Sequence, residues 1–165
     1  MSFSVVADGK PIYKLRESIQ FVNDDHFDLS TMDSGIEIVG SGDSAYLALT
    51  ETSPGVFATS GEWISEIIDS GIPYLDWLAA FGVVDYPNAT TTLEVFIKVA
   101  DNTAHFPYIG WGESIYNGDH VLNGGRYLQG KIVMTGDAAT TPKVHELHLR
   151  YDPNSMKIVE PKVAS

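Results

Sequence analysis

Three segments in the C-terminal half alternate apolar and polar residues with a period of two, and this pattern restricts the fold more than any other feature. Every odd position of residues 93–99 is apolar, and residues 127–134 and 144–151 alternate in a similar way. Successive side chains of a strand point to opposite sides of a sheet, so this period indicates strands with one buried face.

Shorter segments with the composition of strands accompany these three. They are residues 3–6, 19–22, 36–39, 45–50, 63–68 and 74–81. Clusters of Gly, Ser, Asp, Asn and Pro separate them and favour turns. The one stretch that could begin a helix, residues 77–81, runs directly into Gly82 and two β-branched valines, so a strand or a single turn is expected there instead. The sequence predicts an all-β fold, a β-sandwich or jelly roll with little helix.

The length of the chain predicts one domain. The 165 residues are 44% hydrophobic, which is enough for one good core and rarely for two. The first residues, about 1–16, and residues 152–165 are polar and contain Pro. We expect an N-terminal arm and a C-terminal tail that become ordered against a partner. No apolar run is long enough for a membrane helix, so no membrane contact is expected.

The charge is strongly negative and unevenly distributed. Ten Lys and Arg residues stand against 22 Asp and Glu residues, for a net charge of −12, and all ten lie outside residues 17–97. Such a field repels phosphate backbones, so nucleic acid is not an expected partner. The acidic middle is interpreted either as a solubilising surface, or as a face that meets a basic flank of a neighbouring copy or holds divalent cations. In the second case Lys10, Lys14 and Arg16 are candidate interface residues.

The sequence does not predict an enzyme. Cysteine is absent, and the motifs of zinc hydrolases, serine hydrolases and nucleotide-binding enzymes are missing. The only close histidine pair, His145 and His148, is three residues apart on a predicted strand, which puts the two rings on opposite faces. No catalytic residue, bound metal or cofactor is therefore expected.

One acidic cluster leaves two interpretations open. Asp24, Asp25 and Asp28 concentrate the hard oxygen ligands that calcium requires, without the spacing of an EF-hand loop. Asp and Asn side chains also cap turns by accepting hydrogen bonds from backbone N–H groups. The second interpretation is the expected one.

The loop of residues 105–120 is the strongest candidate for a binding site. It places aromatic rings among short polar side chains between two predicted strands; the candidate residues are Tyr108, Trp111, Tyr116, Asn117, Asp119 and His120. Flat rings beside polar groups stack on sugars, and they also anchor protein interfaces. The alternative is that these rings cover the open end of the sandwich.

Residues 61–71, 125–132 and 141–151 together resemble a family of galactose-binding-like β-sandwich modules. Such modules occur in phage tail and other virion proteins and next to polysaccharide-acting enzymes. The resemblance implies the sandwich fold and a virion context. Gly130 departs from the family pattern, in which an aromatic or branched residue commonly follows Gln, and a bulge or a close contact is expected there.

These observations predict a non-catalytic structural or adhesion subunit of a larger assembly, with a bacteriophage virion component (tail, neck or capsid surface) as the first expectation. The alternative is a carbohydrate-binding module, free or accessory to a polysaccharide-degrading enzyme. Expected partners are other virion or assembly proteins, further copies of the chain, and a glycan. A location in a virion or outside the cell follows, although the sequence shows no signal peptide.

Overall fold

The computed structural model describes residues 3–7, 10–15, 18–72, 76–112, 114–116 and 124–151. Within these residues the chain is almost entirely β-structure. The strands are β1 (Phe3–Ala7), β2 (Lys10–Leu15), β3 (Ser18–Phe21), β4 (Ser30–Met32), β5 (Ile36–Val39), β6 (Tyr46–Leu49), β7 (Glu51–Ser53), β8 (Val56–Phe57), β9 (Ser60–Ser65), β10 (Ile68–Asp69), β11 (Trp77–Asp85), β12 (Thr92–Ala100), β13 (Tyr127–Thr135) and β14 (Lys143–Tyr151). One short helix, α1 (Asp24–Asp28), and two 3₁₀ turns, η1 (Gly42–Ser44) and η2 (Thr103–Tyr108), complete the described elements.

Two antiparallel sheets are organised around one long strand each. In the larger sheet, sheet A, β14 pairs with β11 on one side and with both β3 and β6 on the other, which gives the order β1-β2-β3-β14-β6-β5. In the smaller sheet, sheet B, β13 pairs with β12 on one side and with β9 and β10 on the other, and β4 follows β9. A separate hairpin joins β7 to β8.

The core lies between the inner faces of the two sheets. The ring of Phe21 in sheet A meets the indole of Trp63 in sheet B edge to face, with centroids 5.1 Å apart. Phe27 of α1 closes one end of the core, 6.0 Å from the same indole. One buried cluster joins apolar residues of both sheets and of α1. The predicted all-β, sandwich-like fold is confirmed, and each of the three alternating segments is a nine-residue strand.

A β-bulge in β14 corrects one prediction. The register against β11 slips between Val83 and Val84, so buried Val144 and buried Leu147 are separated by two residues, not one. Strict alternation would have put His145 and His148 on opposite faces, and that expectation is wrong because the bulge shifts the phase of the strand by one residue. Neither histidine is in the core: His145 pairs with Asp85 and His148 with Glu146, each at 2.9 Å.

The N-terminal segment expected to form an arm contributes β1 and β2, an antiparallel hairpin that extends sheet A beyond β3. The predicted C-terminal tail, residues 152–165, lies outside the described residues. Gly130 pairs with Ile97 in regular register, so the predicted bulge there is wrong. None of the helices in the described part of the chain is long and apolar enough to cross a membrane.

Residues 114–116, the bridging segment, connect the two sheets along one side of the sandwich. The backbone N–H of Ile115 donates to the carbonyl of Val95 in β12 at 2.8 Å, and the carbonyl of Ile115 accepts from the N–H of Ala80 in β11 at 3.1 Å. The Ser114 hydroxyl accepts a further bond, from the N–H of Val95. Ile115 is 2% exposed. This segment therefore links an edge of sheet A to an edge of sheet B and places one side chain in the core between them.

Candidate binding surface

The outer face of sheet B carries a cluster of two lysines and two aromatic rings. The ammonium groups of Lys98 and Lys131 lie 4.5 and 5.0 Å from the ring centroid of Trp111, and that of Lys131 is also 5.0 Å from the ring of Phe96. All three distances are within the range of cation–π attraction. We call these four residues the Trp111 surface.

Strand alternation places three of these side chains on the outer face. In β12 the inner positions include Val95 and Ile97, so Phe96 and Lys98 point outwards. Lys131 lies between buried Gly130 and buried Ile132 and pairs with Phe96 across the strands. The side chain of Lys131 is only 15% exposed, and its ammonium is 3.9 Å from Glu62.

The turn η2 fixes the loop that carries Trp111. Asn102 caps the turn by accepting a 2.9 Å hydrogen bond from the N–H of Ala104, and Phe106 is buried beneath it. The ammonium of Lys98 donates to the carbonyl of Phe106 at 3.4 Å. The same lysine thus contacts the turn and the Trp111 ring, which ties the loop to the sheet. Tyr108, at the end of η2, is 89% exposed.

The structure places the aromatic residues of the predicted loop in two different environments. Trp111 is partly exposed on the outer face of sheet B and does not cover the end of the sandwich. Tyr116 belongs instead to the bridging segment, pairs with Ala80 of β11 and packs against the core. Its hydroxyl is hydrogen-bonded to that of Tyr86, and partial burial together with this bond raises the pKa of Tyr86 above its usual range. Tyr116 is therefore a structural residue at the junction of the sheets.

The other candidate residues give less information. Asn117, Asp119, His120 and Arg16 lie outside the described residues. Lys10 and Lys14 belong to β2, the strand next to the edge strand β1, but their side chains are outside the described part of the structure. Their role as interface residues stays a prediction.

The expected turn-capping role is seen for one carboxylate of the acidic cluster, that of Asp24. Asn23 caps α1 by accepting from the N–H of His26 at 3.0 Å, and Asp24 and Asp25 occupy the first turn, where negative charge favours the helix dipole. The carboxylate of Asp24 also accepts from the N–H of Gly42 at 2.9 Å. Over the described ranges, no group of three or more His, Asp or Glu residues is arranged to hold a metal ion.

Sequence reasoning missed Phe96, Lys98 and Lys131 as parts of the surface. The signal was present, because a phenylalanine at an outward position of a one-sided strand has no core to pack into and needs a covering group. The return of residues 109–112 across the face of the sheet was not predictable from local pattern.

No protein-family model matches this chain, and no curated protein matches it either. The class of the protein is therefore defined by its structure alone: it is an all-β, sandwich-like protein. One of its sheets carries a partly exposed patch of aromatic and cationic side chains.

Proposed function

We propose that this protein is a non-catalytic structural or adhesion subunit of a larger assembly and that the Trp111 surface is its contact with an acidic partner surface. The observation that carries the proposal is the position of Trp111, which is partly exposed on the outside of sheet B within cation–π distance of two ammonium groups. Tryptophan is among the residues most often found as anchors of protein interfaces.

The distribution of charge supports an acidic partner. The whole chain has a net charge of −12, and residues 17–97 hold no Lys or Arg. Lys98 and Lys131 belong to the ten basic residues outside that stretch. Lys131 is already 3.9 Å from Glu62, so Lys98 is the cation of this surface with no carboxylate within 4.0 Å among the described residues. The acidic stretch of a second copy is a suitable partner, and such a contact joins two different surfaces and can build rings or shells.

Within this class, a bacteriophage virion component is the narrower proposal. The resemblance of three segments to virion-associated β-sandwich modules supports it. A second candidate function is a carbohydrate-binding module, favoured by the exposure of Tyr108 and by the partly exposed indole of Trp111, because both rings are accessible for stacking on a sugar.

The test compares Trp111→Ala and the double variant Lys98→Gln/Lys131→Gln with the wild type. Light scattering and sedimentation of the purified chain measure self-association from low to high salt. Exposed charges are screened over about 8 Å at physiological ionic strength, so association should weaken, but not vanish, as salt rises. Both variants should associate less, with thermal midpoints close to that of the wild type. Tyr127→Ala is the matched control, because it removes an aromatic side chain from the same sheet face beside Arg126 and not beside the lysines.

Two results would contradict the proposal. One is a wild-type chain that stays monomeric at every salt concentration, and the other is a Trp111→Ala variant that associates as the wild type does. Binding on a glycan array that is lost in Trp111→Ala, with no self-association, would favour the carbohydrate-binding module instead.

A further inference from the structure

The outer face of sheet B carries more apolar side chains than a sheet surface that meets water usually does. Ile64 in β9, Phe96 in β12 and Val133 in β13 occupy outward positions, because the residues on either side of each are buried. All three are half-buried. The solvent side of an antiparallel sheet is normally polar, and adjacent apolar side chains on a surface indicate a contact with another molecule.

Charged side chains divide this face into two adjacent rows of opposite sign. One row belongs to the Trp111 surface and contains Lys131 paired with Phe96. In the next row Val133 pairs with Glu62 of β9 on one side and with Glu94 of β12 on the other. We call these three residues the Val133 row. The face is therefore basic in one half and acidic in the other, with apolar groups in both.

Two charged groups of this face have no ion-pair partner among the described residues. One is Lys98 in the basic half, and the other is the exposed Glu94 in the acidic half. Both lie on β12, four residues apart, and four residues of a strand span about 13 Å. That separation is too long for an ion pair within one chain, so each group is available to a second molecule of opposite charge.

We infer that two copies of the chain pair face to face through sheet B, with the Trp111 surface of each copy on the Val133 row of the other. A two-fold rotation about an axis that runs between the two rows, parallel to them, produces this arrangement. It places β12 of one copy antiparallel over β12 of the other. A face whose two halves are complementary to each other is what a two-fold contact requires, because the same patch is used by both copies.

The contact would combine an apolar centre with charged flanks. The indole of Trp111 lies on Val133 of the other copy, and Glu62 and Glu94 flank that valine on strands about 10 Å apart, which is two strand spacings. One flat ring fits between them. Lys98 reaches towards Glu94 of the other copy, so the two groups without partners in the monomer pair in the dimer. The apolar contact supplies most of the affinity, and the charges set the register.

The inference rests on the proposed function, because it uses the Trp111 surface as the contact, and it names the acidic surface that this contact meets. Glu62 and Glu94 both belong to the stretch of residues 17–97 without Lys or Arg. A two-fold contact closes after two copies, so rings or shells need a further contact elsewhere on the molecule.

The experiment measures self-association of the full chain by sedimentation equilibrium at concentrations up to about 1 mM. We expect the wild type to show a monomer–dimer equilibrium. Glu62→Lys/Glu94→Lys gives both halves of the face the same sign and should weaken dimerisation about tenfold or more, because every like-charge contact occurs twice. Lys98→Glu/Lys131→Glu should do the same. A mixture of these two variants should form heterodimers at least as tightly as the wild type dimerises, although both variants keep a strongly negative net charge.

Asp43→Lys/Glu51→Lys is the matched control, because it makes the same change of charge at exposed acidic residues outside sheet B. It should dimerise at least as well as the wild type. Glu94→Lys alone breaks no ion pair with a described residue, and it should weaken dimerisation even if the double variant is unstable. Circular dichroism and thermal midpoints report whether each variant keeps the fold.

Three outcomes separate this inference from the proposed function. If Trp111→Ala loses self-association while Glu94→Lys and Glu62→Lys/Glu94→Lys associate as the wild type does, the inference is overturned and the proposed function stands. A mixture of the two charge variants that stays monomeric also overturns the inference alone. A wild-type chain that is monomeric at every concentration overturns both.

Discussion

The indole N–H of Trp63 donates a 2.7 Å hydrogen bond to the carbonyl oxygen of Phe27, and both residues are fully buried. The bond joins β9 of sheet B to α1, the only described α-helix, at the point where that helix closes the core. A buried carbonyl that loses its donor keeps the full cost of desolvation, so this contact makes a specific contribution to stability.

Trp63→Phe should destabilise the protein by about 2–4 kcal/mol, because it removes buried ring volume and leaves the Phe27 carbonyl without its donor. Urea denaturation followed by fluorescence measures the free energy of unfolding. Trp77→Phe is the matched control: its indole is equally buried, but its N–H has no hydrogen-bond partner among the described residues. We expect the control to cost about 1–3 kcal/mol less. Equal losses would mean that the Trp63 hydrogen bond adds nothing.

Two buried glycines should respond to alanine in opposite directions. A Cβ atom on Gly130 would meet its nearest neighbour, the Leu149 side chain, at 3.6 Å, which is an ordinary contact. A Cβ on Gly61 would lie 2.6 Å from the backbone of Gly35. Gly130→Ala should therefore leave the stability unchanged or raise it by about 0.5–1 kcal/mol, whereas Gly61→Ala should lower it by about 1–3 kcal/mol. Thermal denaturation of the two variants decides, and a destabilised Gly130→Ala would show that the backbone there needs glycine.

The bridging segment is only three residues long, but it should contribute strongly to the free energy of unfolding. Ile115→Ala should cost about 2–5 kcal/mol, because Ile115 fills the core between β11 and β12. Ile109→Ala, in the half-buried part of the same loop, should cost less than about 1 kcal/mol. The N–H of Ala80 donates a hydrogen bond to the carbonyl of Ile115. Hydrogen exchange of that N–H should therefore accelerate in Ile115→Ala and not in Ile109→Ala. An unchanged exchange rate would argue against a link between the sheets.

Asp137 should titrate well below the usual range of aspartate. Its pKa is lowered by hydrogen bonds from the hydroxyls of Thr90 and Thr140 and from the N–H groups of Ala139 and Thr140. Because the folded pKa lies below the unfolded value of about 3.9, the associated stability is present above that pH and is lost as the pH falls further.

Thr90→Val removes the leading donor and should raise the pKa of Asp137 toward its ordinary value, as measured by ¹³C NMR of the carboxyl carbon. Thr31→Val, an exposed threonine on β4, should leave that titration unchanged. A wild-type Asp137 that titrates as a solvated carboxyl would show that these hydrogen bonds do not persist in solution.

Local pattern was sufficient to predict the strands with one buried face, since burial enforces the period of two in β12 and β13. The short strands β4, β7 and β8 were not predicted, because two or three residues carry no period. The bulge before Leu147 was also missed. Its cause is the register with β11, a partner more than 50 residues away, and no local residue type signals it.

The candidate site was predictable only in part. Tyr108 and Trp111 were identified because their aromatic rings lie among short polar residues in the sequence. The structure places Trp111 beside Lys98 and Lys131. Tyr116 has the same local composition, yet it packs against the core. The different positions of Trp111 and Tyr116 depend on which sheet the chain contacts after residue 112. That contact is tertiary, so the local sequence does not predict it.

The bridging segment also determines where another chain can join the β-structure. An exposed sheet edge is a template for a further strand, and in the middle of β11 and β12 the outward N–H of Ala80 and both backbone groups of Val95 are already engaged. Strand addition is thereby blocked on that side of the molecule. The described edges that remain in the two sheets are β1 and β5 in sheet A and β4 and β10 in sheet B, so a strand that joins either sheet by backbone pairing would have to add at one of these four.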